Sequence, residues 1–149
     1  GIAPLAALHE AGLRIRLGTD GSASNDTQDS FETLKMALNL SRIATLDPTK
    51  PTPRQALAMA LDNRVLTPEA PADVIIVDLN HARAVPVHDY ASALTLSTHG
   101  SDVEAVIVAG EMLMHDSQVL VLDEAHLFDQ CRTAVAGLRE KTGLETPTT

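Results

Sequence analysis

Polar and apolar positions alternate over Arg14-Ile15-Arg16-Leu17, as they do along a half-buried strand, and from Asp29 to Ser41 the spacing becomes helical. Phe31, Leu34, Leu38 and Ser41 then share one helix face, behind an Asp29/Glu32 pair that fits a capping box. Between the two patterns runs Gly18-Thr19-Asp20-Gly21-Ser22-Ala23-Ser24-Asn25-Asp26, so Asp20 is expected just past a strand end. The glycines on either side of it permit a sharp exit from the strand.

Upstream, Pro4 suits the first turn of a short helix with Ile2, Leu5 and Leu8 on its apolar side, and Gly12 suits its end. After the Asp29–Ser41 helix, Thr52-Pro53-Arg54-Gln55 is a second capping signal, for a short helix through Leu57, Ala60 and Leu61. Val74 to Leu79 is a continuous apolar run of strand length, expected to be buried. Tyr90 to Thr98 reads as a short helix capped by Asp89 and stopped by Gly100, with Ala91, Leu94 and Leu96 apolar. Val103–Val108, Met112–Met114 and Val119–Leu122, separated by turn residues, predict a β-meander. Asp123 should cap a long helix striped by Leu127, Cys131, Ala134 or Val135, and Leu138, ended by Gly143 and followed by a frayed tail from Glu145 to Thr149.

With 149 residues, 44% of them apolar, the chain can bury a sizeable core, and with 2% aromatics it lacks the stacking platform of a nucleic-acid or sugar binder. A net charge of −9, spread along the chain, disfavours phosphate backbones and anionic membranes. No apolar run approaches the ~20 residues of a bilayer span, and a signal-peptide pattern is absent, so a cytoplasmic location is expected. The lone Cys131 excludes an internal disulfide and a Cys-x-x-Cys zinc site, and is expected to be a small buried hydrophobe. His9, His81, His88, His99, His115 and His126 show no His-x-His or His-x-x-x-His spacing, so the histidines by themselves support no metal site.

On spacing alone, the Asp20 segment reads as an ordinary turn or as a carboxylate held at a strand's end. Gly18-Thr19-Asp20-Gly21, Ala23-Ser24-Asn25-Asp26, Asp29 and Phe31-Glu32 together resemble the last-strand motif of the amidohydrolase superfamily. The branch most resembled comprises the S-adenosylhomocysteine and methylthioadenosine deaminases and the triazine chlorohydrolases. The likeness continues through Ala72–Leu79, Pro86-Val87-His88-Asp89, His99–Val103 and Val106–Gly110, in the family's order. Asp62–Pro71 is shorter than the family pattern, which has a β-hairpin there.

The resemblance implies an α/β architecture: the C-terminal part of a (β/α)8 barrel over residues 1–62, a share of a small β-sandwich with an intervening short helix over 63–122, and a C-terminal helix and tail over 123–149. It implies that Asp20 is both catalytic and a metal ligand, to zinc or alternatively Fe2+. The remaining ligands, a His-x-His pair and two later histidines, would lie outside this chain. The reaction implied is hydrolytic deamination or dechlorination of a purine, pyrimidine or triazine-like ring, by a homo-oligomer when complete. The chain alone is then expected to be inactive. Ser24, Asn25 and Asp26 stay unassigned, as does any substrate-binding residue. Two other readings remain open: a noncatalytic partner-binding module of the same descent, and an amide- or imide-ring hydrolase.

Overall fold

The computed structural model describes residues 1–143, so the expected tail from Glu145 lies outside the described residues. Along the chain run α1 (Leu5–Glu10), α2 (Ser30–Thr45), α3 (Pro53–Ala60), β1 (Val74–Val77), α4 (Tyr90–Leu96), a 3-10 turn (Gly100–Asp102), β2 (Val103–Val108), β3 (Glu111–His115), β4 (Gln118–Val119) and α5 (Glu124–Thr142). The four strands form one antiparallel sheet in the order β1-β2-β3-β4.

The capping chemistry behaves largely as the sequence predicts. Asp29 accepts hydrogen bonds from the amides of Phe31 and Glu32 at the start of α2, although Glu32 does not complete a capping box and binds Thr27 instead. Thr52 and Gln55 do form a reciprocal box at α3. Asp89 and Asp123 cap α4 and α5 through the amides of Ser92 and His126. Each cap satisfies amides that a helix start leaves without partners.

Phe31, Leu34, Leu38 and Ser41 are the buried residues of α2, the face that the spacing specifies. The first three join Ala56 of α3 in the core cluster. Leu17, Leu94, Val77 and Val103 pack around them, so one core ties the helices to the first two strands. On α3 the deepest residues are Ala56 and Met59, while Leu61, expected on the apolar side, is half exposed.

Four expectations are corrected. Arg14–Leu17 forms no strand, because among the described residues no neighbouring strand offers it a ladder; only Leu17 N–H reaches a backbone acceptor, Met59 O, at 3.3 Å. The strand's alternation survives without the ladder, with Ile15, Leu17 and Thr19 partly buried and Arg14, Arg16, Gly18 and Asp20 exposed. The Val74–Leu79 run yields a strand only to Val77, and Ile75 and Ile76 are about half exposed, since a small sheet with one packed neighbour cannot cover both faces. Cys131 is exposed. So is the rest of its stripe: α5 has no buried residue, because no described element packs on it.

Residues 62–73 contain no strand. Asp62 sits at their start, and its carboxylate accepts from Arg16 and Arg14, with contacts of 2.6 Å to both guanidinium groups. Those bonds, from Arg16 first and then Arg14, hold its carboxyl below the usual aspartate range. The alternation of Arg14-Ile15-Arg16 puts both cations on one side of the segment, where a single acceptor can reach both. This clamp anchors the stretch that leads into the Asp20 loop.

Candidate active site

Asp20 adopts the left-handed backbone region, with φ 63°. An L-residue there needs local support, since its Cβ crowds the following carbonyl. The support is visible: Gly21 N–H donates to Asp20 Oδ1 at 2.7 Å, and the Gln28 side-chain amide donates to the Asp20 carbonyl at 3.3 Å. Gly21 O in turn accepts from the amides of Ser24 and Asn25, which curls the loop back before α2 begins. The hydroxyl of Thr27 donates to Glu32 Oε2 at 2.6 Å and ties the loop's end to the first turn of that helix.

The exposed carboxylate lines a groove of roughly 480 Å3, together with Leu17, Thr19, Asn25, Glu32 and Met36. Ser24 also lines it. No described Lys, Arg or His pairs with Asp20, so a reacting group entering the groove would meet a free anionic oxygen beside apolar side chains.

Asp20 belongs to no convergent set of three metal-ligating side chains among the described residues. A catalytic zinc centre takes about three protein ligands. The residues described around Asp20 therefore do not hold a metal by themselves. The histidines are scattered as their spacing suggests: His9 contacts Gln55, His126 contacts Gln130, and His81 lies 3.3 Å from Asp102.

One grouping escaped the sequence. Ligand atoms of Asp29, Glu32 and His99 all lie within 4.8 Å of one another. The capping pattern identified the two carboxylates as residues of a helix start, but no local signal links them to a histidine that follows α3, β1 and α4.

The model of the amidohydrolase family matches residues 1–113. The chain belongs to that family. It is 40% identical over 147 residues to a 5'-deoxyadenosine deaminase of Methanosarcina acetivorans, covering 93% of this chain and 34% of the relative. It is 36% identical over 152 residues to a 5-methylthioadenosine/S-adenosylhomocysteine deaminase of Halobacterium salinarum, covering 96% and 35%.

Among solved structures it is similar to an adenosine deaminase from Xanthomonas campestris with bound zinc, at TM-score 0.86 and 26% identity over 94% of this chain and 34% of that one. It is also similar to a mutant atrazine chlorohydrolase from Arthrobacter aurescens complexed with zinc and atraton, at TM-score 0.79 and 27% identity over 89% and 32%. The chain thus spans about a third of the length of these relatives. Its helices and small antiparallel sheet are a partial α/β domain of that fold. Among the described residues, no helix is long and apolar enough to cross a membrane.

Proposed function

We propose that this amidohydrolase chain contributes the C-terminal barrel and sandwich segments of a hydrolase that deaminates or dechlorinates a nitrogen heterocycle, and that Asp20 is its reacting carboxylate. The observation that carries the reading is the Asp20 loop itself. It lies within the matched family segment and presents an unpaired carboxylate, braced by Gly21 and Gln28, to an open groove.

In this role Asp20 accepts a proton from the attacking water as its oxygen bonds to the ring carbon, and returns a proton to the departing amine, which leaves as ammonia. The names of the relatives, deaminases of 5'-deoxyadenosine and of methylthioadenosine or S-adenosylhomocysteine and a chlorohydrolase of atrazine, favour an adenosine-like or triazine-like substrate over an amide or imide ring. Zinc, which two of those structures contain, is the metal proposed for the complete centre, with Asp20 one ligand and the others outside the described residues.

The exposed stripe of Leu127, Phe128, Val135 and Leu138 on α5 supports a second reading, a noncatalytic module that binds a partner subunit. The test is zinc-supplied hydrolysis by the longest natural polypeptide containing this chain. The assay uses 5'-deoxyadenosine, methylthioadenosine, S-adenosylhomocysteine and atrazine, and follows ammonia or chloride. Asp20→Asn is expected to reduce turnover by about 100-fold or more without loss of fold. Near-normal turnover by that variant sinks the role of Asp20, and absence of turnover by the parent polypeptide favours the noncatalytic reading.

A further inference from the structure

The geometry points to a divalent-cation site made by Asp29, Glu32 and His99, which does not use the Asp20 carboxylate although Glu32 also lines the Asp20 groove. The first two stand at the N-cap and in the first turn of α2, and the third immediately precedes the 3-10 turn that leads into β2. The two elements are already fastened to each other, since Gly100 N–H donates to Asp29 Oδ2 at 2.8 Å.

The two carboxylates each keep unused lone pairs: Asp29 Oδ2 accepts only the Gly100 amide, and Glu32 uses Oε2 for Thr27 and leaves Oε1 free. The His99 ring sits at the head of the 3-10 turn beside the Asp102 amide, a contact that a bound cation would have to replace. Neither carboxylate pairs with a described Lys or Arg, so two anions converge with no cation between them. They border an open groove of about 700 Å3 whose other walls include Ile75, Val106 and Met114.

An imidazole among the donors favours a zinc-type ion over calcium or magnesium, which take oxygen ligands. Ligand atoms around zinc lie ~2.0–2.2 Å from the metal, hence within about 4.4 Å of one another. The three ligand atoms lie within 4.8 Å of one another, close to that size, and Glu32 is exposed at its end of the group. A bound ion would cross-link the helical layer to the sheet, so occupancy should be read as stability as well as affinity.

The experiment is calorimetric titration of the 149-residue chain with zinc chloride at pH 7, with thermal unfolding of the same samples. One site that raises Tm is expected. His99→Asn and Glu32→Gln should each weaken it about tenfold or more. Asp20→Asn and His126→Asn should bind as the parent does, which separates this site from the Asp20 centre and from surface histidine binding. In the unmutated chain, zinc should shift the His99 imidazole resonances before those of the other histidines, a readout that does not depend on the variants folding. Unchanged affinity in His99→Asn and Glu32→Gln, first shifts at another histidine, or no binding below millimolar zinc each overturns the proposal.

Discussion

Asp29 and Gly100, 71 positions apart, are joined by a 2.8 Å hydrogen bond from the Gly100 amide to Asp29 Oδ2, while Oδ1 of the same carboxylate caps α2 through Phe31 N–H at 2.8 Å. One side chain thus satisfies a helix start and an amide of the 3-10 turn before β2. Replacing Asp29 by Ala removes both and is expected to destabilise the chain by about 1.5–2.5 kcal/mol, roughly 1 from the cap and the rest from the lost bond to the exposed Gly100 amide. Asn, an equally good cap, should restore most of the first contribution. Urea denaturation of the two variants, with hydrogen exchange at Gly100, separates the parts; equal losses in both would show that the charge, rather than the oxygen geometry, matters.

Leu38 is fully buried in the cluster with Phe31, Leu34 and Ala56. Leu38→Ala should lower the unfolding free energy by about 2–5 kcal/mol, the range for emptying a packed leucine site. A change below about 1 kcal/mol in urea melts would mean that the helical layer carries little of the chain's stability.

Leu46 ends α2 in the left-handed region, at φ 54°, with 89% of its surface exposed. Glycine adopts that conformation without the Cβ penalty and is the common residue at such a helix end. Leu46→Gly is therefore expected to stabilise the chain by about 0.5–1 kcal/mol, seen as a higher urea midpoint with an unchanged slope. A lower midpoint would show that the leucine side chain contributes a contact worth more than the backbone strain.

Burial alone would raise the carboxyl of Asp102, but bonds from Arg83, at 2.6 Å, and from His99 N–H outweigh it and hold the group below its ordinary value of 3.8. Because the folded-state value is depressed, the stabilisation from Asp102 is complete above the unfolded-state value and is lost as pH falls through the folded one. Urea melts from pH 7 down to pH 3 should show stability declining in the acid part of that range. Asp102→Asn should be less stable by about 1–3 kcal/mol at neutral pH and decline more shallowly. Parallel curves for the two proteins would remove Asp102 from the acid response.

The helices were legible because their determinants are local. Phe31, Leu34, Leu38 and Ser41 recur at the helical period, and Asp29, Thr52, Asp89 and Asp123 occupy cap positions whose donors lie within three residues. Most of the meander was legible for the same reason, since short turns at Ala109-Gly110 and Asp116-Ser117 join antiparallel neighbours, each of these residues at positive φ; its last strand, expected over Val119–Leu122, is instead the two-residue Gln118–Val119. The Asp20 motif could be picked out because its residues are contiguous.

Pairing and cover were decided only by the tertiary structure. Arg14–Leu17 has a strand's alternation, yet a strand needs a neighbour's backbone, which periodicity does not supply. Cys131 lies on an apolar stripe, yet a stripe is buried only where another element covers it, and none of the described elements covers α5. The convergence of Asp29, Glu32 and His99 depends in the same way on how the sheet seats the 3-10 turn against α2. Local spacing and cap residues set which side chains share a face along each helix and where each helix starts. Which of those faces meet was set by contacts between segments far apart in the chain, whose energies depend on distance in space and not on separation along the chain.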